Sequence, residues 1–127
     1  MKKLTKAEEQ IMQVLWELEK GFVNDIVDIL PEPKPAYNTV STIVRILEQK
    51  GFIAHKAYGR THEYYPLVNK EEYSREYLNN FTQNYFSNSY KALASFFANS
   101  ENLSIKELEE IKLLVEEQIN NHKNVKS

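Results

Sequence analysis

The chain has no cysteine among its 127 residues, which excludes disulfide frameworks, cysteine-ligated zinc and thiol catalysis. A reducing, cytoplasmic setting fits that absence. Glycine is limited to Gly21, Gly51 and Gly59, so no glycine-rich loop is available to cradle a phosphate. Aspartate occurs only at Asp25 and Asp28, and no serine, histidine and acid arrangement emerges from the helices. Catalysis is not expected, and no residue set calls for a cofactor. There is also no long apolar run. After Met-Lys-Lys, polar residues from Thr5 to Gln10 stand where a signal peptide needs its hydrophobic segment, so neither export nor membrane embedding is expected.

A surplus of positive charge is missing as well, since the formal net charge is −2. Taken alone, this argues against nucleic acid, because phosphate binding usually leaves a basic footprint. The distribution matters more than the sum. Between residues 34 and 62, Lys34, Arg45, Lys50, Lys56 and Arg60 face only Glu48. Charge runs of this kind are often only solvated surface, so their meaning depends on the elements that carry them.

What is present begins with Leu4, Ala7, Ile11, Val14, Leu15 and Leu18 at helical spacing. Thr5 and Glu8 form a capping box at the start of this first helix, and Gly21 is expected to end it. Asn24 to Leu30 offers Ile26, Val27 and Leu30 on one side, enough for a short second helix that Pro31, Pro33 and Pro35 prevent from continuing. Val40, Ile43, Val44 and Leu47 then form the buried stripe of a third helix, closed by Gly51.

The opposite face of that third helix carries Asn38, Ser41, Thr42 and Arg45, with Tyr37 at its start. Amide and hydroxyl side chains can reach base edges, a threonine methyl can pack on thymine, and arginine can grip guanine or phosphate. A polar outer face is also the default of any amphipathic helix, so the neighbouring segment has to decide. Phe52 to Lys56 and Thr61 to Leu67 are rich in aromatic and β-branched residues around Ala57-Tyr58-Gly59-Arg60. Three helices followed by a two-stranded wing are the order of parts in a winged helix-turn-helix. With Tyr58-Gly59 as a two-residue loop, Arg60 would project from the wing tip, and His55 and His62 would be cross-strand partners. Two histidines without a third ligand do not make a metal site.

These residues resemble the BlaI/MecI penicillinase-repressor family. The resemblance rests on Thr39-Val40, Thr42, Leu47, Lys50-Gly51-Phe52-Ile53, Gly59-Arg60, and Tyr64 or Tyr65 before Pro66-Leu67. Leu4-Thr5, Ala7-Glu8 and Leu15-Trp16 match the family's first helix, and Leu103-Ser104 with Glu107 to Glu110 matches its last. The resemblance implies a homodimeric transcriptional repressor on a palindromic double-stranded DNA operator. It places Thr39 and Thr42 on the recognition helix and Gly59 and Arg60 in the wing. Together with the polar face and the local basic excess, the DNA-binding set becomes Tyr37, Asn38, Thr39, Ser41, Thr42, Arg45, Lys50, Lys56, Gly59 and Arg60.

Some family features are absent. Pro35-Ala36 stands where many members have Trp-Ser, so the usual serine cap of helix three is missing. Members inactivated through a membrane-bound sensor metallopeptidase are cleaved at an Asn-Phe bond, and Phe96-Phe97 occupies the corresponding place here. Copper-responsive relatives use a cysteine cluster, which this chain lacks.

Beyond Asn69, which with Glu72 forms another capping box, Tyr73, Tyr77, Phe81 and Tyr85 recur every fourth residue. Leu93, Phe96 and Phe97 supply a short helix, and Ser104 with Glu107 caps a last one bearing Leu108, Ile111 and Val115. The polar tail from Asn120, containing His122, is expected to fray. Three such helices have too few residues for a self-sufficient core; a dimer interface is expected to supply what is missing, the alternative being an intramolecular core packed back onto the wing. The interface set is Tyr73, Tyr77, Phe81, Tyr85, Leu93, Phe97, Leu108, Ile111 and Val115. The expected protein is therefore mainly α with a small β-hairpin, a winged helix-turn-helix over 1–68 and a helical dimerisation domain over 69–127. The alternative is a winged helix that binds protein through the same polar face without sequence-specific DNA binding.

Overall fold

Thr5 and Glu8 start the first helix as their spacing predicts. The Thr5 hydroxyl accepts from the Glu8 amide at 3.1 Å, and the Glu8 carboxylate accepts from the Thr5 amide at 2.7 Å. The computed structural model describes residues 1–126, with side chains through Val125. In chain order the elements are α1 (Lys6–Leu18), α2 (Val23–Ile29), α3 (Tyr37–Gln49), β1 (Ile53–Tyr58), β2 (Thr61–Pro66), α4 (Lys70–Tyr85), α5 (Tyr90–Ala98) and α6 (Ile105–Lys126). The architecture is mainly helical with one antiparallel hairpin, among the described residues, and its first five elements form a winged helix.

Gly21 does not end α1. That role falls to Glu19, whose φ of +70° breaks the helix while its amide still donates to Leu15. Gly21 instead pairs with Tyr64 as an isolated bridge, which adds a third short rung beside β2. A Cβ at Gly21 would lie 3.3 Å from Leu18 Cδ1 and 3.4 Å from Asp25 Cβ, so close backbone approach is what glycine permits here. The C-terminal end of α2 is closed by a side chain that sequence pattern did not single out for the task. Lys34 Nζ donates to the carbonyls of Val27, Asp28 and Leu30 at 3.1, 2.8 and 2.9 Å, placing a cation on the negative end of the helix.

The core beneath these elements joins Ile11, Met12 and Leu15 of α1, Ile26 of α2, Val40, Val44 and Leu47 of α3, and Phe52, Ile53 and Tyr64 of the hairpin. The described residues form two compact units, Met1–Leu78 and a second that begins at Asn79. The boundary placed at 68/69 from sequence falls just before α4, whereas the first compact unit continues to Leu78. Its cause is Tyr73, whose ring lies 5.7 Å from Trp16 and 6.1 Å from Phe52, while Trp16 Nε1 donates to the Val68 carbonyl at 2.8 Å. Burial, reinforced by the Glu9 carboxylate, pushes the Tyr73 phenol up to about 12. In the second unit, Ser89 caps α5 and Ser104 with Glu107 caps α6. The polar segment from Asn120 continues α6 as helix through Lys126 instead of fraying.

One ion pair ties α1 to the end of α3. Lys50 Nζ lies 2.7 and 2.9 Å from the two Glu8 carboxylate oxygens and 3.3 Å from the Lys3 carbonyl, and Glu8 is only 4% exposed. Burial pushes the Glu8 carboxyl up, but Lys50 and the hydrogen bonds from Thr5 outweigh it and leave the group below its ordinary 4.5. A lowered folded value gives stabilisation that is complete above pH 4.5 and lost as the pH falls through that folded value. Lys50→Ala, which strands a buried carboxylate, should cost about 3 kcal/mol in urea unfolding at pH 7, with the difference shrinking on acidification below the ordinary glutamate range.

Candidate nucleic-acid interface

The apolar stripe of α3 turns Val40, Val44 and Leu47 fully into the core, which forces its polar residues outward. Asn38, Thr39, Thr42 and Arg45 are exposed, Tyr37 is half exposed and Ser41 partly covered. No side chain caps this helix at Ala36, as the missing serine predicts. The exposed groups are held by the helix itself. Thr42 Oγ1 donates to the Asn38 carbonyl at 2.9 Å, and Arg45 donates to the Ser41 carbonyl and hydroxyl at 3.3 and 3.4 Å. Arg45 thus lies along the helix surface with its guanidinium prepositioned.

The hairpin turns one residue later than expected, which shifts each cross-strand partner by two residues. Tyr58 pairs with Thr61, so the two-residue loop is Gly59-Arg60, and Arg60 lies within the tip itself. Gly59 has a φ of +64°, and Arg60 stays at negative φ, the pattern of a II′ turn, which favours glycine first. His55 consequently pairs with Tyr64, and His62 stands opposite Ala57. Tyr58 braces the wing against the start of α2 through Phe22, at 5.9 Å between ring centroids, while Lys56 lies 5.3 Å over the Tyr58 ring.

Helix and wing meet across a groove of about 570 Å³. One wall is Tyr37, Ser41 and Arg45 of α3, and another is Arg60, Thr61, His62 and Tyr64 of the wing. Phe22 to Asp25 close the end. The groove gathers four of the residues expected on a DNA face, Tyr37, Ser41, Arg45 and Arg60, and adds Thr61, His62 and Asp25, which the sequence reading did not include. Strand alternation puts His62 and Tyr64 on one face, a period-two signal present in the strand itself.

The basic residues divide into two groups. Lys34 caps α2 and Lys50 is committed to Glu8, so the latter lies outside the groove and serves the core. Arg45, Lys56 and Arg60 remain exposed. Glu48, the acidic residue of the segment, is drawn to His55, with 2.5 Å between Oε2 and Nδ1. The surface charge facing the groove is therefore more cationic than the chain's net charge suggests.

The residues expected at a dimer interface have different surroundings. Tyr73 is half buried against Trp16 and Phe52 in the first unit, while Tyr77 is exposed there. In the second unit Leu93, Leu108 and Ile111 are partly covered, whereas Phe81, Tyr85, Phe97 and Val115 are exposed. Phe96, which the family resemblance implied as part of a cleavage region, is 68% exposed. On α6 an almost wholly apolar strip runs through Ile111, Leu114, Val115 and Ile119.

Three helices, a wing tied back to the first interhelical loop, and a cationic groove between wing and third helix define a winged-helix protein of the DNA-binding class. The chain belongs to the penicillinase repressor family, which it matches over residues 4–117. The family's members are transcriptional repressors and not enzymes. The methicillin resistance regulatory protein MecI of Staphylococcus aureus is 26% identical over 110 residues, covering 86% of this chain and 89% of that protein. The penicillinase repressor of Bacillus licheniformis is 24% identical over 124 residues, covering 97% and 94%. Among solved structures, the complex of hsRosR-S4 superposes with a TM-score of 0.55 at 16% identity over 94% of this chain and 93% of that one, a likeness of fold. No helix among the described residues is long and apolar enough to cross a membrane.

The loop geometry yields a direct check. Gly59→Ala puts a Cβ on a positive-φ residue with open space around it, so the cost is conformational and should be about 1 kcal/mol in thermal unfolding.

Proposed function

We propose that this protein represses transcription as a homodimer seated on a palindromic operator, with α3 in the major groove and the wing on the phosphate backbone. The observation that carries the reading is the shared groove in which Arg45 of α3 and Arg60 of the wing face the same space. A helix inserted between base edges brings its flanking phosphates toward such a groove. Asn38, Thr39 and Thr42 lie on the exposed face available to bases, and Arg45, Lys56 and Arg60 supply charge. Two-fold symmetry in the protein then matches two half-sites in the DNA.

The exposed apolar strip of α6, with the exposed aromatic residues Phe81, Tyr85 and Phe97, supports self-association through the helices after the wing. Relief by a membrane-bound sensor metallopeptidase belongs to the same proposal. It draws support from the family and from the accessibility of Phe96, and incubation with a peptidase encoded beside this gene tests it by the appearance of two fragments.

A gel-shift titration against the upstream DNA of its own gene tests the central claim. Arg60→Ala should weaken binding across all sequences and lower the salt slope by about one, because one phosphate contact is lost. Thr42→Ala or Asn38→Ala should instead change discrimination at individual base pairs by about 1–3 kcal/mol. Absence of any specific shift would leave the polar face of α3 as a protein-binding surface. For assembly, Leu114→Glu combined with Val115→Glu should convert dimers to monomers in light scattering, and a persistent dimer would reject the α6 interface.

A further inference from the structure

Two imidazoles lie flat against each other beside the groove. The rings of His55 and His62 have centroids 4.0 Å apart and planes within 5°, although the strand register sets them diagonally and not directly opposite. His55 is occupied on one edge by Glu48 of α3. His62 lines the groove with Arg45 and Arg60, and among the described residues its ring nitrogens have no hydrogen-bond partner in the protein. An imidazole held in place by stacking, with both nitrogens available beside two guanidinium groups, is arranged to meet an anion.

We propose that His62 is a proton-linked contact to the DNA phosphate backbone, positioned by stacking on His55. This inference rests on the DNA-binding reading and adds to it a residue and a pH dependence. Imidazole is the side chain whose ordinary pKa, about 6.5, lets a nearby charge change its protonation close to neutral pH. The charged and titratable groups around His62 are Arg45 and Arg60 in the groove, Asp25 at the groove's end, and His55 with Glu48 behind it. The phenols of Tyr37 and Tyr64 complete the surroundings, while Lys56 and Glu63 lie on the other face of the hairpin.

A phosphate entering this space adds negative charge beside the His62 imidazole. It favours the imidazolium, which can then donate a charge-assisted hydrogen bond to a phosphate oxygen. Binding must therefore take up a proton. The sign follows from linkage: a group whose affinity for protons is higher in the complex strengthens binding at low pH and loses that contribution as the pH rises through its bound-state value.

The test is operator binding by fluorescence anisotropy at constant salt between pH 8 and pH 6, using a duplex of the upstream DNA of the protein's own gene. Calorimetry in two buffers of different ionisation enthalpy measures proton uptake in parallel. The wild-type protein should bind about sixfold more tightly at pH 6 than at pH 8, the effect over this window of a one-unit preference for the charged form from an ordinary value of about 6.5. Net proton uptake should accompany binding near pH 7. In His62→Gln the gain should fall below about twofold and the uptake attributable to this site should disappear. Specific binding with a flat wild-type profile, or an undiminished profile in His62→Gln, overturns the proton-linked contact and leaves the DNA-binding reading standing. Absence of specific binding at every pH overturns both. If His62→Gln fails to fold by circular dichroism, the wild-type buffer comparison still decides, because binding without proton uptake contradicts the proposal.

Discussion

Two backbone hydrogen bonds between Gly21 and Tyr64 set where the wing stands. Gly21 N donates to the Tyr64 carbonyl at 2.9 Å, and Tyr64 N donates to the Gly21 carbonyl at 2.8 Å. They tie β2 to the loop between α1 and α2, while the Tyr64 side chain, 4% exposed, inserts into the helical core. A hairpin alone is marginal in water and free to pivot on its base. Anchored here, and braced again where Tyr58 meets Phe22, it stands at a defined angle to α3. The groove containing Arg45 and Arg60 exists because of that angle.

Electrostatics within the first unit separate into structural and available charges. Lys50 compensates a carboxylate that burial alone would push up, and Lys34 closes three carbonyls at the end of α2. Both long side chains surrender their freedom to complete the fold. Glu48 is turned toward His55, which takes the acidic group of this segment out of competition with any anion in the groove. Exposed Arg45 and Arg60 then share a basic groove on a chain whose net charge is negative, a distribution that the net charge conceals.

The second unit presents a different balance. Its caps are well formed, yet α6 keeps Leu113, Leu114, Val115 and Ile119 exposed, and α5 keeps Phe96 exposed. Good local helix signals coexist with an incomplete interior, because three short amphipathic helices have more apolar surface than they can bury among themselves. Membership of a repressor family gives that surface a context, and it is the surface on which the proposed self-association rests.

Helix existence, order and outward face followed from sequence by itself, because helical periodicity and capping boxes are local properties: Thr5 with Glu8, Ser104 with Glu107, and Val40, Val44 and Leu47 could be identified without knowing their partners. The winged-helix class and the polar face of α3 were legible for the same reason. What only the tertiary structure decided were long-range matters. The hairpin turned at Gly59-Arg60 because strand register depends on cross-strand and core contacts, not on the loop residues alone. Lys50 went to Glu8 and Tyr73 to Trp16 because distant segments met there and burial rewarded the pairing. Gly21, expected to end a helix, became the wing's anchor, since a backbone without a side chain is what a strand can approach, and which strand arrives is known only when the chain has folded.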